Sequence, residues 1–281
     1  MERFVDVGTA TLAVTDVGKG LPVVLLHAGV ADRRSWTAVA SALEPSLAKL
    51  RFISFDRRGF GETTWAPSTH SHSSDLFAVL DACNVDTAVL VGNSQGGRIA
   101  IDATLANPDR VVGLVLVGTA VSGAPDPDPT ELARIATLTT AIDAAEESED
   151  FGLVNDLEAR LWLDGPEAPA GRVGGAPRSL FLDMNLRALE AGDVGDAVWP
   201  TDSWNRLCEL DVPTLVVIGD LDVPHVVARA HTLAARIPGA ALVTVTGVAH
   251  LPGLEDPARL AQELTRFALD TAHDRTPPTR S

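Results

Sequence analysis

Hydrophobic positions along this chain fall into short continuous runs separated by helical spacings. Residues 22–26 (Pro-Val-Val-Leu-Leu), 88–91 (Ala-Val-Leu-Val), 111–117 and 215–218 are apolar throughout, and 50–55 and 241–245 are strand-like. Runs of this length without a polar face are strands covered on both sides, as in a parallel sheet. Between them, steps of three and four mark helices: Trp36, Val39, Ala40 and Leu43; Leu76, Val79, Leu80 and Cys83; then stretches over 95–106, 226–237 and 257–269. Residues 4–17 instead alternate around Gly8, which predicts an antiparallel edge hairpin. Strand and helix alternate at intervals that suit right-handed parallel crossovers, so the class is α/β.

The alternation breaks at Ser122. Gly123-Ala-Pro-Asp-Pro-Asp-Pro129 is a linker by composition, and some 80 residues follow with no strand pattern. Leu132, Ile135, Leu138 and Ile142 predict one helix, Leu153, Leu157 and Leu161 a second, and Leu182, Leu186 and Leu189 a third. The expected division is a core of residues 1–121 and 208–272, a helical cap of 122–207, and a disordered tail of 273–281.

Composition narrows the partners. The 281 residues are 46% hydrophobic and 21% charged, enough for one large domain or a core with an insertion. A net charge of −16 repels phosphate backbones and anionic lipid, which disfavours nucleic-acid and membrane partners. No apolar run reaches the roughly 18 residues of a membrane span, and the first six residues show no signal-peptide pattern. Cys83 and Cys208 form no C-x-x-C pair and suit a reducing cytoplasm, with one disulfide left open. Neither H-E-x-x-H nor a His/carboxylate cluster is present, so neither metal nor cofactor is expected.

The chemistry centres on Gly92-Asn-Ser-Gln-Gly96. A serine lifted onto a strand-to-helix turn needs a strained backbone, and glycines two residues either side remove the collisions. The helix that follows aims free N–H groups and its positive dipole end where an oxyanion would form. Ser94 is therefore the candidate nucleophile. Sites in open α/β sheets lie beyond the carboxyl ends of strands, which selects His250, after the strand at 241–245, as base. The loop after 214–219 supplies Asp222 as the orienting acid, with Asp220 more suited to local backbone N–H groups. His70 and His72 read as exposed members of a polar loop.

His27-Ala-Gly29, Asp56-Arg-Arg-Gly-Phe-Gly61, Gly92-Asn-Ser-Gln-Gly-Gly97, Gly219-Asp-Leu-Asp222 and His250, in this order, resemble the α/β-hydrolase superfamily, in its capped serine-hydrolase branch of esterases, lactonases and C–C-bond hydrolases. The resemblance covers nearly the whole chain. It implies a mostly parallel eight-stranded sheet flanked by helices, with an inserted helical cap. It also implies an oxyanion hole formed by the backbone N–H of Gln95 and of Gly29. Ala28 stands where the family usually has glycine, leaving Ala28 as the other candidate for the second donor. Asp56 and Arg58 match a loop read as an ion pair pinning a strand end; Arg58, Ala28, Trp162 and Phe181 are the candidate substrate contacts. The expected activity is cofactor-free hydrolysis of a small, hydrophobic ester or lactone. C–C cleavage in a diketone-like acid, or a ligand-binding role with little turnover, are the alternatives. A C–C hydrolase would need a cation for the substrate carboxylate, and Arg58, Arg33 and Arg34 are the candidates by sequence order.

Overall fold

The computed structural model describes residues 2–43, 46 and 48–274. The strands are β1 (Glu2–Asp6), β2 (Ala10–Gly18), β3 (Leu21–Leu26), β4 (Leu50–Phe55), β5 (Thr64–Trp65), β6 (Ala88–Asn93), β7 (Val111–Val117), β8 (Thr214–Gly219) and β9 (Ala241–Val245). Eight of them run in the order β1-β2-β4-β3-β6-β7-β8-β9, and the two-residue β5 pairs with β2 off that path. Neighbours from β4 through β9 are parallel; β2 pairs antiparallel with β1, β4 and β5. This is the α/β-hydrolase fold anticipated from the motifs.

The continuous apolar strands are explained by their two covered faces. In β3, Val24 and Leu26 join one core cluster while Val23 and Leu25 join the other; in β6, Leu90 joins the first, with Val89 and Val91 in the second. Because successive side chains point to opposite faces, a strand between two helical layers needs apolar residues at every position. The first layer is α2 (His72–Ala82) and α3 (Gln95–Ala106), joined later in the chain by one further helix; the second starts with α1 (Thr37–Ala42).

Between β7 and β8 the chain forms α4 (Pro129–Glu147), α5 (Phe151–Glu158), a π-helical turn (Ala159–Leu163), α6 (Gly175–Leu189) and a 3-10 segment (Ser203–Glu209). Asp128 and Asp150 cap α4 and α5, accepting from Thr130 and Leu153 N–H. The chain then returns through α7 (Pro224–Arg236), in the first layer, a single turn α8 (Pro252–Glu255), and α9 (Pro257–Asp274), in the second. The tail expected over 273–281 lies outside the described residues, except that residues 273 and 274 close α9. Among the described residues, no helix is long and apolar enough to cross a membrane.

Candidate active site

Ser94 stands alone between the end of β6 and the start of α3, with φ 54° and ψ −114°. Such a backbone costs on the order of 1–3 kcal/mol and persists only where its surroundings over-determine it. Here they do. Its N–H donates to Val117 O at 2.8 Å, and its carbonyl accepts from Gly97, Arg98 and Ala120 N–H. The flanking glycines are demanded by close approach: a Cβ on Gly92 would collide with the Gly96–Gly97 backbone, and one on Gly96 with the Leu26 carbonyl.

Asp222 and His250 come together from the loops after β8 and β9. His250 Nδ1 lies 2.8 Å from Asp222 Oδ2 and 3.0 Å from Oδ1, with the two residues only 2% and 5% exposed. A ring nitrogen facing a carboxylate carries the proton, which leaves Nε2 as the free acceptor. Asp220 turns away and accepts from Gly247 N–H at 2.7 Å. The His250 loop is clamped by Glu255, which accepts from Ala249 N–H (2.8 Å) and Leu251 N–H (2.9 Å) and pairs with Arg172. Asn93 Nδ2, one residue before Ser94, donates to His250 O at 3.1 Å. Trp162 stacks obliquely on the imidazole, ring centres 4.6 Å apart. Among the described residues, Ser94 Oγ makes no hydrogen bond to His250; the two side chains line one cavity.

Arg57 joins the two segments that carry the candidate oxyanion donors. Its guanidinium donates to Ala28 O (2.9 Å) and to Gln95 Oε1, and its Nε and backbone N–H reach His27 Nε2. Burial pushes Arg57 down to about 9, so it remains charged at neutral pH; the burial of the neighbouring His27 ring, with the Arg57 charge second, holds that imidazole well below its usual pKa. Gln95 is the first residue of α3, so its N–H has no intrahelical acceptor. Gly29 and Gln95 line the cavity and adjoin each other, whereas the Ala28 side chain is buried in a cluster with Phe181, Met184 and Leu163.

The cavity holds about 560 Å³, within the size range of small-ligand sites. It gathers Ser94, Gln95, Gly29, His250, Arg58 and Trp162, but not Ala28 or Phe181. Phe181 is fully buried, because α6 turns it onto the residue 28–31 loop rather than toward Ser94. His70 and His72 are not exposed: both are more than nine-tenths buried and line the cavity, since residues 193–198 pair with 65–70 through the His70–Ala197 bridge and cover them. Burial, with nearby cationic residues, drives His72 down to about 2. The expected Asp56–Arg58 pair is also replaced. Asp56 pairs with Arg33 and accepts from Arg33 and Glu62 N–H, while Arg58 is held by Asp75 through Nε (2.8 Å) and Nη2 (3.1 Å). A second cavity, of about 410 Å³, is lined by Trp36, Phe52 and Arg33 and contains none of Ser94, Asp222 or His250.

Three charged or aromatic cavity residues escaped the motif reading. Arg98 lies four residues after Ser94, one helical turn on, and that spacing was a usable signal. Its guanidinium stacks 3.7 Å over the Trp199 ring. Among the described residues it has no carboxylate within ion-pair distance. Glu158 precedes Trp162 by four and accepts from Asn185 Nδ2 at 2.6 Å, with burial raising its pKa. Phe60 has no sequence signal beyond its place in the Asp56–Gly61 loop.

Residues 23–263 match the family described as "Alpha/beta hydrolase family". The chain is 29% identical over 277 residues to 2-hydroxymuconate semialdehyde hydrolase of Pseudomonas sp. (strain CF600), covering 90% of this chain and 88% of that one. Among solved structures, a thermophilic esterase from Thermogutta terrifontis superposes with TM-score 0.76 at 25% identity, covering 96% of this chain and 99% of that one. Est816, described as an N-acyl homoserine lactone degrading enzyme, superposes with TM-score 0.72 at 27% identity, covering 94% and 100%.

Proposed function

The chain belongs to the α/β-hydrolase family, and from that premise we propose that it is a serine hydrolase cleaving a small carboxylic ester or lactone without a cofactor. Ser94 Oγ attacks the carbonyl carbon while His250 Nε2 takes its proton. Asp222 keeps the other ring nitrogen protonated and stabilises the imidazolium. The oxyanion is met by the N–H groups of Gln95 and Gly29, each such donor typically being worth about 2.7–4 kcal/mol in the transition state. His250 returns the proton to the leaving alkoxide, then activates water to release the acyl group from Ser94. Residues 122–207 act as a cap that closes this cavity and selects the substrate.

The observation that carries this reading is the buried His250–Asp222 hydrogen bond at 2.8 Å, sharing one cavity with a serine in a strained turn. The similarity to an esterase and to a lactone-degrading enzyme supports it. Hydrolysis of p-nitrophenyl acetate, lost in Ser94→Ala, is the expected result, with a fluorophosphonate probe attached to Ser94 by peptide mapping. Label on any other residue would overturn the nucleophile assignment. Retention of an ester with no turnover by the wild-type protein would favour a ligand-binding role.

A second reading, C–C cleavage in a keto acid, is favoured by Arg98. Arg33, Arg34 and Arg58, the cations that the sequence suggests for a substrate carboxylate, are held by Asp56, by Asp32 and Asp183, and by Asp75. Arg98 offers its terminal N–H groups to the cavity instead, and one relative is named for a muconate derivative. Comparing kcat/KM for a dienoic keto acid with that for neutral esters separates the two chemistries.

A further inference from the structure

Among the described residues, the Arg98 guanidinium makes one hydrogen bond: its Nε–H donates to Ser122 Oγ at 2.7 Å. A hydroxyl that accepts there has its own proton to give, and Ser122 gives it to Asp102 Oδ2, also at 2.7 Å. The other oxygen, Asp102 Oδ1, accepts from Ser203 Oγ at 2.6 Å. Ser122 lies where the chain leaves β7 for the helical segment, and Ser203 where it returns toward β8. The two crossings are also joined to each other, through Trp204 N–H to Ser122 O at 2.9 Å. Asp102 sits one turn beyond Arg98 on α3 and is 3% exposed, and both serines are about 1% exposed. A buried carboxylate with two hydroxyl donors is satisfied and directional; with either donor removed it holds a desolvated charge with too few partners.

We propose that Asp102 is a positioning residue: through Ser122 it aims the Arg98 guanidinium into the cavity, and through Ser203 it locks the returning crossing of the 122–207 segment onto the nucleophile helix. Substrate-facing charge and closure of the segment are thereby set by one carboxylate, outside the cavity, that takes no part in bond making. The Arg98 half of this inference rests on the cavity being the active site proposed above; the crossing half does not.

The test uses the full chain, with hydrogen-exchange mass spectrometry and steady-state kinetics run on the same variants. In Ser203→Ala, amides of residues 199–209 should exchange about tenfold faster while β6 and β7 keep their wild-type rates. In Ser122→Ala, KM for the anionic half-ester p-nitrophenyl succinate should rise about tenfold relative to neutral p-nitrophenyl acetate, with kcat for both within about twofold. Ser122→Thr, which keeps the hydroxyl, should return KM to the wild-type value. Asp102→Ala should show both effects; if it does not fold, the two serine variants decide. Wild-type exchange in 199–209 together with an unchanged KM ratio would overturn the proposal, as would faster exchange spread equally over β6 and β7. If the wild-type protein turns over neither ester, the proposed function fails, and the exchange result alone decides whether Asp102 locks the crossing.

Discussion

Ser94, Gln95, Gly29 and His250 reach the cavity from the carboxyl ends of β6, β3 and β9, whereas Glu158, Trp162 and Trp199 reach it from the chain between β7 and β8. The floor is held at its backbone groups. Ser94 is fixed by main-chain hydrogen bonds to Val117 and Ala120, and in the His250 loop the N–H groups of Ala249 and Leu251 donate to the Glu255 carboxylate. The roof is held by side chains: Asn155, Asn185 and Glu158 bond one another across α5 and α6, and Trp65 Nε1 reaches Asp193 O at the cap-side strap. Backbone ladders tolerate side-chain change, while a side-chain network is rewritten by single substitutions. Under the proposed function, chemistry belongs to the floor and substrate choice to the roof.

The sharpest break would come at Ser94. If Ser94 is the nucleophile proposed above, Ser94→Ala should lower kcat by on the order of 10⁶ on every substrate tested, the loss seen when the serine of a catalytic triad is removed; residual turnover near wild type would end the division at once. Asp222→Asn should cost about 10⁴ in kcat through loss of the correct tautomer, with KM nearly constant, read from initial rates near neutral pH. Arg57→Met, which frees the Ala28 and Gln95 segments, should lower kcat by about 10–100-fold. It should weaken a boronic-acid transition-state analogue in proportion, and equal loss of substrate and analogue binding would make Arg57 merely structural.

Smaller effects probe the roof. Trp199→Ala removes the ring under Arg98 and should raise KM by roughly fivefold, with kcat held, consistent with a cation–π contact of about 1 kcal/mol. A uniform fall in kcat would blur the distinction between the two walls. The last effect is on stability. His72 lies between floor and roof, and burial keeps it neutral to about pH 2, while the unfolded chain binds a proton below about 6.5. The unfolded state therefore takes up more protons between these values, and stability falls as pH drops from 6.5. The share of one ring is at most about 1.4 kcal/mol per pH unit. His72→Phe should flatten the change in urea midpoint between pH 6.5 and 4.5; an unaltered slope would contradict the burial assigned to this ring.

Much of the floor could be read before any coordinates. Apolar runs, a glycine-flanked serine and the order of Asp222 and His250 encode strand ends, and the carboxyl ends of parallel strands converge wherever the sheet forms. The roof resisted the same reading. Trp162 and Phe181 both read as wall residues, yet one lines the cavity and the other is wholly buried against Ala28, Ala31 and Met184, because tertiary packing decides which face of each helix turns to the cavity. His70 and His72 looked exposed because the strap that covers them lies more than 120 residues further on.

The sequence by itself determined the strands, their covered faces and the strained turn at Ser94, since these follow from local periodicity and from glycine at positions where a Cβ has no room. Only the tertiary structure decided which charges are spent and which are free. Arg33 and Arg58 find carboxylates, Arg57 is buried among neutral acceptors, and Arg98 meets a serine that is itself bound to Asp102. Ion pairing and desolvation depend on distances between residues far apart in the chain, such as Asp102 and Ser203 at 2.6 Å, and no local pattern carries them.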